Sequence, residues 1–358
     1  MIRIWFEYMK SRINSKNKLE VLIMRKALVV GINDYTNCNS LNGCENDAIA
    51  VKEILKYHAN DDHNFTIVEP QYDVSTKVGL LDEIGDFFGS SSTEVEIALF
   101  YFAGHGGYDS EHKEGFIITT NYLHAIKNVI WMREILDIVN KSNARNKFIV
   151  LDCCHSGAMG NVVQSIAALH EGVTILSACK LDEGAGDDGG DGHGVFTSLF
   201  LKALEGGAAD LTGHVTAGGV YAYIDKALGA IGQRPVFKTN TAQFLPMREA
   251  EPPIAKRVLR KLSEFFACPI SEYPLNPSYE PTNYEGSKHF HIEPYALKEN
   301  EDKFEDLLAL SKVGLVVPCC DDLPPNKRYM YFAAMESKSC KLTPVGRFYW
   351  KLAKEKKI

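Results

Sequence analysis

Over the first two-thirds of the chain, short runs of consecutive apolar residues alternate with stretches whose apolar positions recur every three or four residues. The run Ala27–Ile32 is aliphatic and does not alternate, the pattern of a strand buried on both faces. Similar runs at Phe65–Val68, Val95–Phe102, Phe116–Thr119, Lys147–Leu151 and Val173–Ser177 predict further strands. Between them, Cys44–His58 sets Ala48, Val51, Ile54 and Leu55 on one side, predicting an amphipathic helix opened by Asn46 and Asp47. Val78–Phe88, Trp131–Val139, Phe196–Leu204 and Val220–Leu228 read as helices, and Pro235–Lys238 as a last strand. Strands alternating with helices predict an α/β domain whose mostly parallel sheet is covered on both faces. Such sheets place ligands beyond the carboxyl ends of their strands, so the residues just after each strand carry the most functional information.

The α/β pattern spans residues 24–247, preceded by an N-terminal extension, 1–23. The stretch 248–256, centred on Glu249–Pro253, reads as a linker. Residues 257–358 then form a second, smaller α+β unit. Helices are expected at Arg257–Phe266, Asp306–Lys312 and Pro344–Lys354, and a strand at Val313–Val317. A hairpin of Tyr329–Ala334 with Ser339–Leu342 would make the unit similar to a winged helix. Within the first unit, Gly184–Gly194 holds six glycines and three aspartates in eleven positions, a composition expected of a surface loop.

Composition narrows the function classes. The 358 residues are 45% apolar and 24% charged, ordinary for a globular chain, and contain no apolar run long enough to span a membrane. The nine cysteines lack paired CxxC spacing, which fits reduced thiols and a cytoplasmic setting. Net charge is −7 overall; from Ala255 onward lie 17 of the 39 basic and 14 of the 46 acidic residues, leaving −10 on residues 1–254. An acidic body disfavours nucleic acid as a partner and suits cationic substrates.

Two strand ends concentrate the chemistry. Ile97–Phe102 runs into Ala103-Gly104-His105-Gly106-Gly107, and Phe148–Leu151 into Asp152-Cys153-Cys154-His155-Ser156-Gly157. A histidine between glycines has little packing to do, and its imidazole titrates near neutrality. A thiol at the neighbouring lip completes a minimal nucleophile–base pair, with the thiolate as the reactive form.

Those two segments resemble caspase-like cysteine peptidases, nearest to metacaspases and their prokaryotic relatives. Gly31-Ile32-Asn33-Asp34-Tyr35, Leu41 to Ala48, Ser177-Ala178-Cys179, Gly194-Val195-Phe196-Thr197 and Gln233-Arg234-Pro235 carry the likeness further, in family order. The 49 residues from His105 to Cys154 match the family's spacing. The resemblance implies a three-layer α/β/α caspase-like fold and peptide-bond hydrolysis through a thioester. It assigns Cys154 as nucleophile, His105 as its proton partner, and the N–H groups of Gly106 and Cys154 as the oxyanion hole. It also implies cleavage after Arg or Lys, because Asp47 and Asp152, with Cys44 beside them, match the carboxylate-lined pocket that holds a basic side chain. Asp182 is a weaker pocket candidate. Ala103 departs from the serine common two positions before the metacaspase histidine.

No cofactor is expected. Calcium, which activates many metacaspases, would have to draw on Asp187, Asp188 and Asp191, whose spacing is not that of an EF-hand loop. Lys180 marks a candidate self-cleavage site. The expected partners are peptide or protein substrates and, through the C-terminal unit, a regulatory protein; no membrane is implied. Two other readings stand beside this one: a catalytically silent caspase-like scaffold, and a regulator whose C-terminal unit binds DNA.

Overall fold

A computed structural model of the chain describes residues 24–89, 94–123, 127–153, 169–178, 192–229, 235–286, 288 and 291–358. Contacts divide it into two compact units, one of residues up to Ala209 with Val215–Ala250, the other of Asp210–His214 with Glu251–Ile358.

The first unit is built on a six-stranded sheet of β1 (Met24–Gly31), β2 (Thr66–Val68), β3 (Val95–Gly104), β7 (Asn146–Cys153), β8 (Val173–Ser177) and β9 (Val236–Asn240). The strand order is β9-β8-β7-β3-β1-β2, and every pair is parallel except β9 with β8. Side chains alternate between faces along these unbroken apolar strands. Leu28, Val30, Phe100, Phe102, Ile149 and Leu151 pack on one side with α2 (Lys77–Phe88) and α3 (Met132–Val139). Val29, Leu99, Tyr101, Phe148 and Val150 face the other side. There they meet α1 (Cys44–Lys56), α4 (Val195–Lys202) and α5 (Ala217–Leu228). Helices therefore cover both faces of a mostly parallel sheet, the α/β architecture that the hydrophobic pattern predicts.

One expected strand lies elsewhere. Phe116–Thr119 falls in β5 (Glu114–Leu123), which pairs antiparallel with β4 (Gly106–Asp109) and β6 (Lys127–Trp131) in a separate three-stranded sheet. The pattern missed β4 because Gly106 and Gly107 give it no β-branched signature. Gly107 sits so close to Phe116 that an added Cβ would be 2.5 Å from the ring.

In the second unit, α6 (Lys256–Arg260), α7 (Leu262–Phe265), α8 (Lys298–Lys312), α9 (Met330–Met335) and α10 (Pro344–Lys354) accompany a small antiparallel sheet. Its strands are β10 (Glu272–Pro274), β11 (Val316–Cys319) and β12 (Ser339–Leu342), in the order β10-β12-β11. Leu259, Phe266, Phe304, Leu307, Leu315 and Leu342 form its own core. The expected hairpin of Tyr329–Ala334 with Ser339–Leu342 is not formed: Met330–Met335 is helical, and β12 pairs with β10 and β11. Met330, Ala333 and Ala334 are buried at i, i+3 and i+4, so the spacing here is helical.

Candidate active site

The carboxyl ends of three central strands finish level. Gly31 on β1 lies opposite Ala103 on β3, Ala103 opposite Asp152 on β7, and Gly104 opposite Cys153. His105 thus follows β3 at the sheet's edge, beside the end of β7. Cys153 is fully buried, and Ala103 likewise. Cys154, next in sequence, lies outside the described residues, as do Lys180, Asp182, Asp187, Asp188 and Asp191.

The segment after β1 holds His105 in place. The His105 backbone N–H donates to the Tyr35 hydroxyl at 2.8 Å, and the two rings meet edge to face with centroids 4.6 Å apart. Burial pushes the Tyr35 phenol well above its usual range, so the hydroxyl stays neutral. This close approach needs glycine at 104, where a Cβ would be 2.5 Å from the Tyr35 oxygen. On the imidazole, Nε2 is 2.7 Å from the Asn39 carbonyl oxygen. A carbonyl only accepts, so Nε2 carries the hydrogen and Nδ1 is left as the basic nitrogen. The ring is therefore oriented by a backbone group, much as an imidazole in a catalytic triad is oriented by its third member.

The same segment sets the start of α1. Asn33 Oδ1 accepts from the N–H groups of Cys44, at 3.0 Å, and Glu45, at 3.3 Å. The helix accordingly begins at Cys44, where the expected stretch Cys44–His58 begins, with Asn46 and Asp47 in its first turn. Gly31 lies against this turn, and a Cβ there would come within 2.1 Å of the Cys44 carbonyl oxygen. Cys44 is partly buried; Asp47, one turn into the helix, is only 2% exposed.

Asp47 and Asp152 converge on a single backbone point, Gly194. A Cβ built on Gly194 would stand 3.1 Å from Asp152 Oδ2 and 3.5 Å from Asp47 Oδ2. Asp152 is 4% exposed and accepts from the Thr197 hydroxyl at 2.7 Å. With that hydrogen committed, the Tyr101 hydroxyl, 2.5 Å from the Thr197 oxygen, is the donor in the next bond. Asp47 accepts from His193 Nδ1 at 2.8 Å. Burial, reinforced by the Asp152 charge, raises the Asp47 pKa to about 6, against the pull of the hydrogen bonds from His193 and Gly194. The chain thus holds two like charges side by side in a nearly dry setting, an arrangement that a bound cation relieves.

Cys44, Asp47, His105, Gly106 and Asp152 thus all sit at or beside the carboxyl edge of the sheet. Five further residues shape the site: Tyr35, Asn39, Tyr101, His193 and Thr197. Tyr35 and Thr197 lie in segments that carry the family likeness, a signal that pointed at their positions without a role. Asn39 contributes only a carbonyl, which no side-chain pattern reveals. His193 was hidden inside the glycine- and aspartate-rich stretch. Among the described residues, no group of three or more His, Cys, Asp or Glu side chains is arranged to hold a metal ion. No helix among them is long and apolar enough to cross a membrane.

A mostly parallel α/β/α sheet carrying a glycine-flanked histidine and paired buried aspartates at its carboxyl edge defines a caspase-type domain. The family model described as the caspase domain matches residues 24–240, and the chain belongs to that family. Similar proteins are metacaspase-1 of Plasmodium falciparum, 29% identical over 151 residues, and metacaspase-1 of Eremothecium gossypii, 29% identical over 146 residues. Each alignment covers 37% of this chain but only 24% and 32%, respectively, of those longer proteins.

Proposed function

We propose that the protein is a cysteine endopeptidase that cleaves after Arg or Lys. The observation that carries this reading is the convergence of Asp47 and Asp152 on Gly194, beside the strand end that bears His105. A guanidinium or ammonium entering there neutralises two carboxylates that otherwise repel each other, and an aspartate side chain would meet the same repulsion. In this reading Cys154 Sγ gives up its proton to His105 Nδ1 and attacks the scissile carbonyl carbon. The oxyanion gathers on the N–H groups of Gly106 and Cys154, each such donor contributing about 3 kcal/mol in other acyl-transfer enzymes. His105 then protonates the leaving amine, the C–N bond breaks, and water hydrolyses the thioester to regenerate the thiol.

The fully buried Cys153 has no path to a substrate, which supports Cys154 as the nucleophile. The Gly184–Gly194 stretch, with Lys180 before it, is the candidate site for self-processing. The C-terminal unit is assigned protein contacts, and the cysteine pattern fits action in the cytoplasm. The test is a positional-scanning fluorogenic peptide library on the wild-type chain and on Cys154→Ala. Cleavage confined to Arg or Lys, and abolished in the variant, is the expected result. Preference for Asp, or equal turnover by Cys154→Ala, overturns the proposal.

A further inference from the structure

The carboxylate pair already engages a group from its own chain. His193 Nδ1 donates to Asp47 Oδ1 at 2.8 Å, and the Gly194 N–H reaches Asp47 Oδ2 at 3.5 Å. The His193 side chain is 23% exposed and that of Asp47 is 3%, so the imidazole stands between the buried carboxylate and solvent. Its position is set by chain geometry: Gly192 has φ of +81°, and Gly194 next to it is pressed against both aspartates. His193 also lines a cavity of about 680 Å³ between α1 and α4, whose walls include Ile54, Leu201, Glu53 and Glu205. The imidazole thus has a buried carboxylate on one side and, on the other, open space whose walls carry both acidic and basic side chains, Lys202 and Arg248 among them.

We propose that His193 is a specificity-determining residue of the Arg/Lys pocket, an internal occupant that a basic side chain must displace from Asp47 before it can be held. The proposal rests on the Arg/Lys reading above. A guanidinium offers several donors in a rigid fork and pairs with two carboxylates, whereas the imidazole uses one nitrogen on Asp47 alone. Arginine therefore wins the exchange. A neutral side chain, with no donor fork for the carboxylates, leaves His193 in place and the pocket closed. Selectivity then comes from competition as well as from attraction.

The test compares Michaelis–Menten kinetics of the full-length wild type, His193→Ala and His193→Arg on arginyl and leucyl fluorogenic peptides. Removing the competitor lowers KM for the arginyl peptide roughly tenfold, the equivalent of one hydrogen bond to a charged group, while kcat moves less. His193→Arg tethers a guanidinium to the same carboxylates and raises KM. A merely structural role moves both variants the same way, and that result, or an unchanged KM in His193→Ala, overturns the proposal. A readout on the unmutated imidazole covers the case in which His193→Ala fails to fold. Agmatine, titrated into the Cys154→Ala chain until it blocks binding of the arginyl peptide, shifts the His193 ring signals in the NMR spectrum. Ring signals unmoved at saturation overturn displacement. Wild type that cleaves no basic-residue peptide refutes the Arg/Lys reading itself, whereas arginyl cleavage with KM indifferent to residue 193 refutes the displacement alone.

Discussion

Replacing Asp47 with Asn should make the protein more stable and less active, and the size of the first effect follows from the site. The carboxyl group moves from an ordinary pKa of 3.8 to about 6, because burial and the neighbouring Asp152 disfavour its charge. Each pKa unit corresponds to about 1.36 kcal/mol, so ionising Asp47 in the folded state at neutral pH costs about 3 kcal/mol. The partly exposed His193 ring brings solvent to within one side chain of the carboxylate, and screening reduces that figure to about 1–2 kcal/mol. The direction with pH is fixed by the raised pKa. Protonated Asp47 carries no such cost below the unfolded value of 3.8, and the cost grows as pH rises to about 6, where it levels off. Asparagine keeps an acceptor for His193 Nδ1 and removes the charge. Thermal unfolding at pH 7.5 should show Tm raised by about 2–8 °C in Asp47→Asn, with the gap roughly halved at pH 5. The same variant should lose most of its arginyl-peptide turnover. A lowered Tm at pH 7.5, or a gap indifferent to pH, would refute the account of two opposed buried carboxylates.

Three further outcomes are open to direct measurement. Gly31→Ala should destabilise the first unit by about 2–4 kcal/mol in denaturant titration, since its Cβ would be 2.1 Å from the Cys44 carbonyl oxygen and would push the start of α1 outward; a change below about 0.5 kcal/mol counts against that packing. Tyr35→Phe should keep the ring contact but strip the acceptor from the His105 N–H, costing about 1–3 kcal/mol and lowering kcat more than it raises KM, checked by steady-state kinetics and calorimetry. Phe304→Ala, at a site 1% exposed in the core of the C-terminal unit, should cost that unit about 3–5 kcal/mol, read by unfolding of the full chain.

The sheet was legible because burial on both faces leaves an unmistakable trace, continuous apolar runs such as Ala27–Val30 and Ile97–Phe102. Elements held by other forces were not. The helix expected from Asp306 begins at Lys298, because the acidic residues before Asp306 carry no buried apolar periodicity beyond Phe304 to reveal it. In the structure Lys298 pairs with Asp302 at 2.8 Å and Glu299 with Lys303 at 2.6 Å, and these i,i+4 contacts extend α8 by two turns. The strand expected at Tyr329–Ala334 is instead the helix Met330–Met335, whose buried stripe is Met330, Ala333 and Ala334. At the site, His105, Asp47 and Asp152 were visible as residues of telling type in telling segments. The Asn39 carbonyl that orients the imidazole, and the Tyr101 hydroxyl buried 96 residues from Thr197 in sequence, exist only once the chain is folded.

Strand periodicity links the core to the chemistry. On β3, Phe100 and Phe102 turn toward α2 and α3 while Tyr101 and Ala103 turn toward α1 and α4. A single alternation therefore fills one face with aromatic carbon and aims one hydroxyl at Thr197, which in turn donates to Asp152. Asp47 has no such chain of neutral donors; its partners are His193 and the Gly194 N–H. Burial and the Asp152 charge drive Asp47 toward protonation. It follows that a cation entering the pocket acts chiefly on Asp47, lowering its pKa from about 6 back toward the ordinary carboxylate range. If the pocket takes a basic side chain as proposed, binding between the ordinary carboxylate pKa of 3.8 and about pH 6 should release a proton, and binding well above pH 6 should not. Close packing makes this coupling possible: Asp152 is fixed at the end of β7 and Asp47 in the first turn of α1, with Gly194 pressed against both, so neither carboxylate can withdraw far from the other.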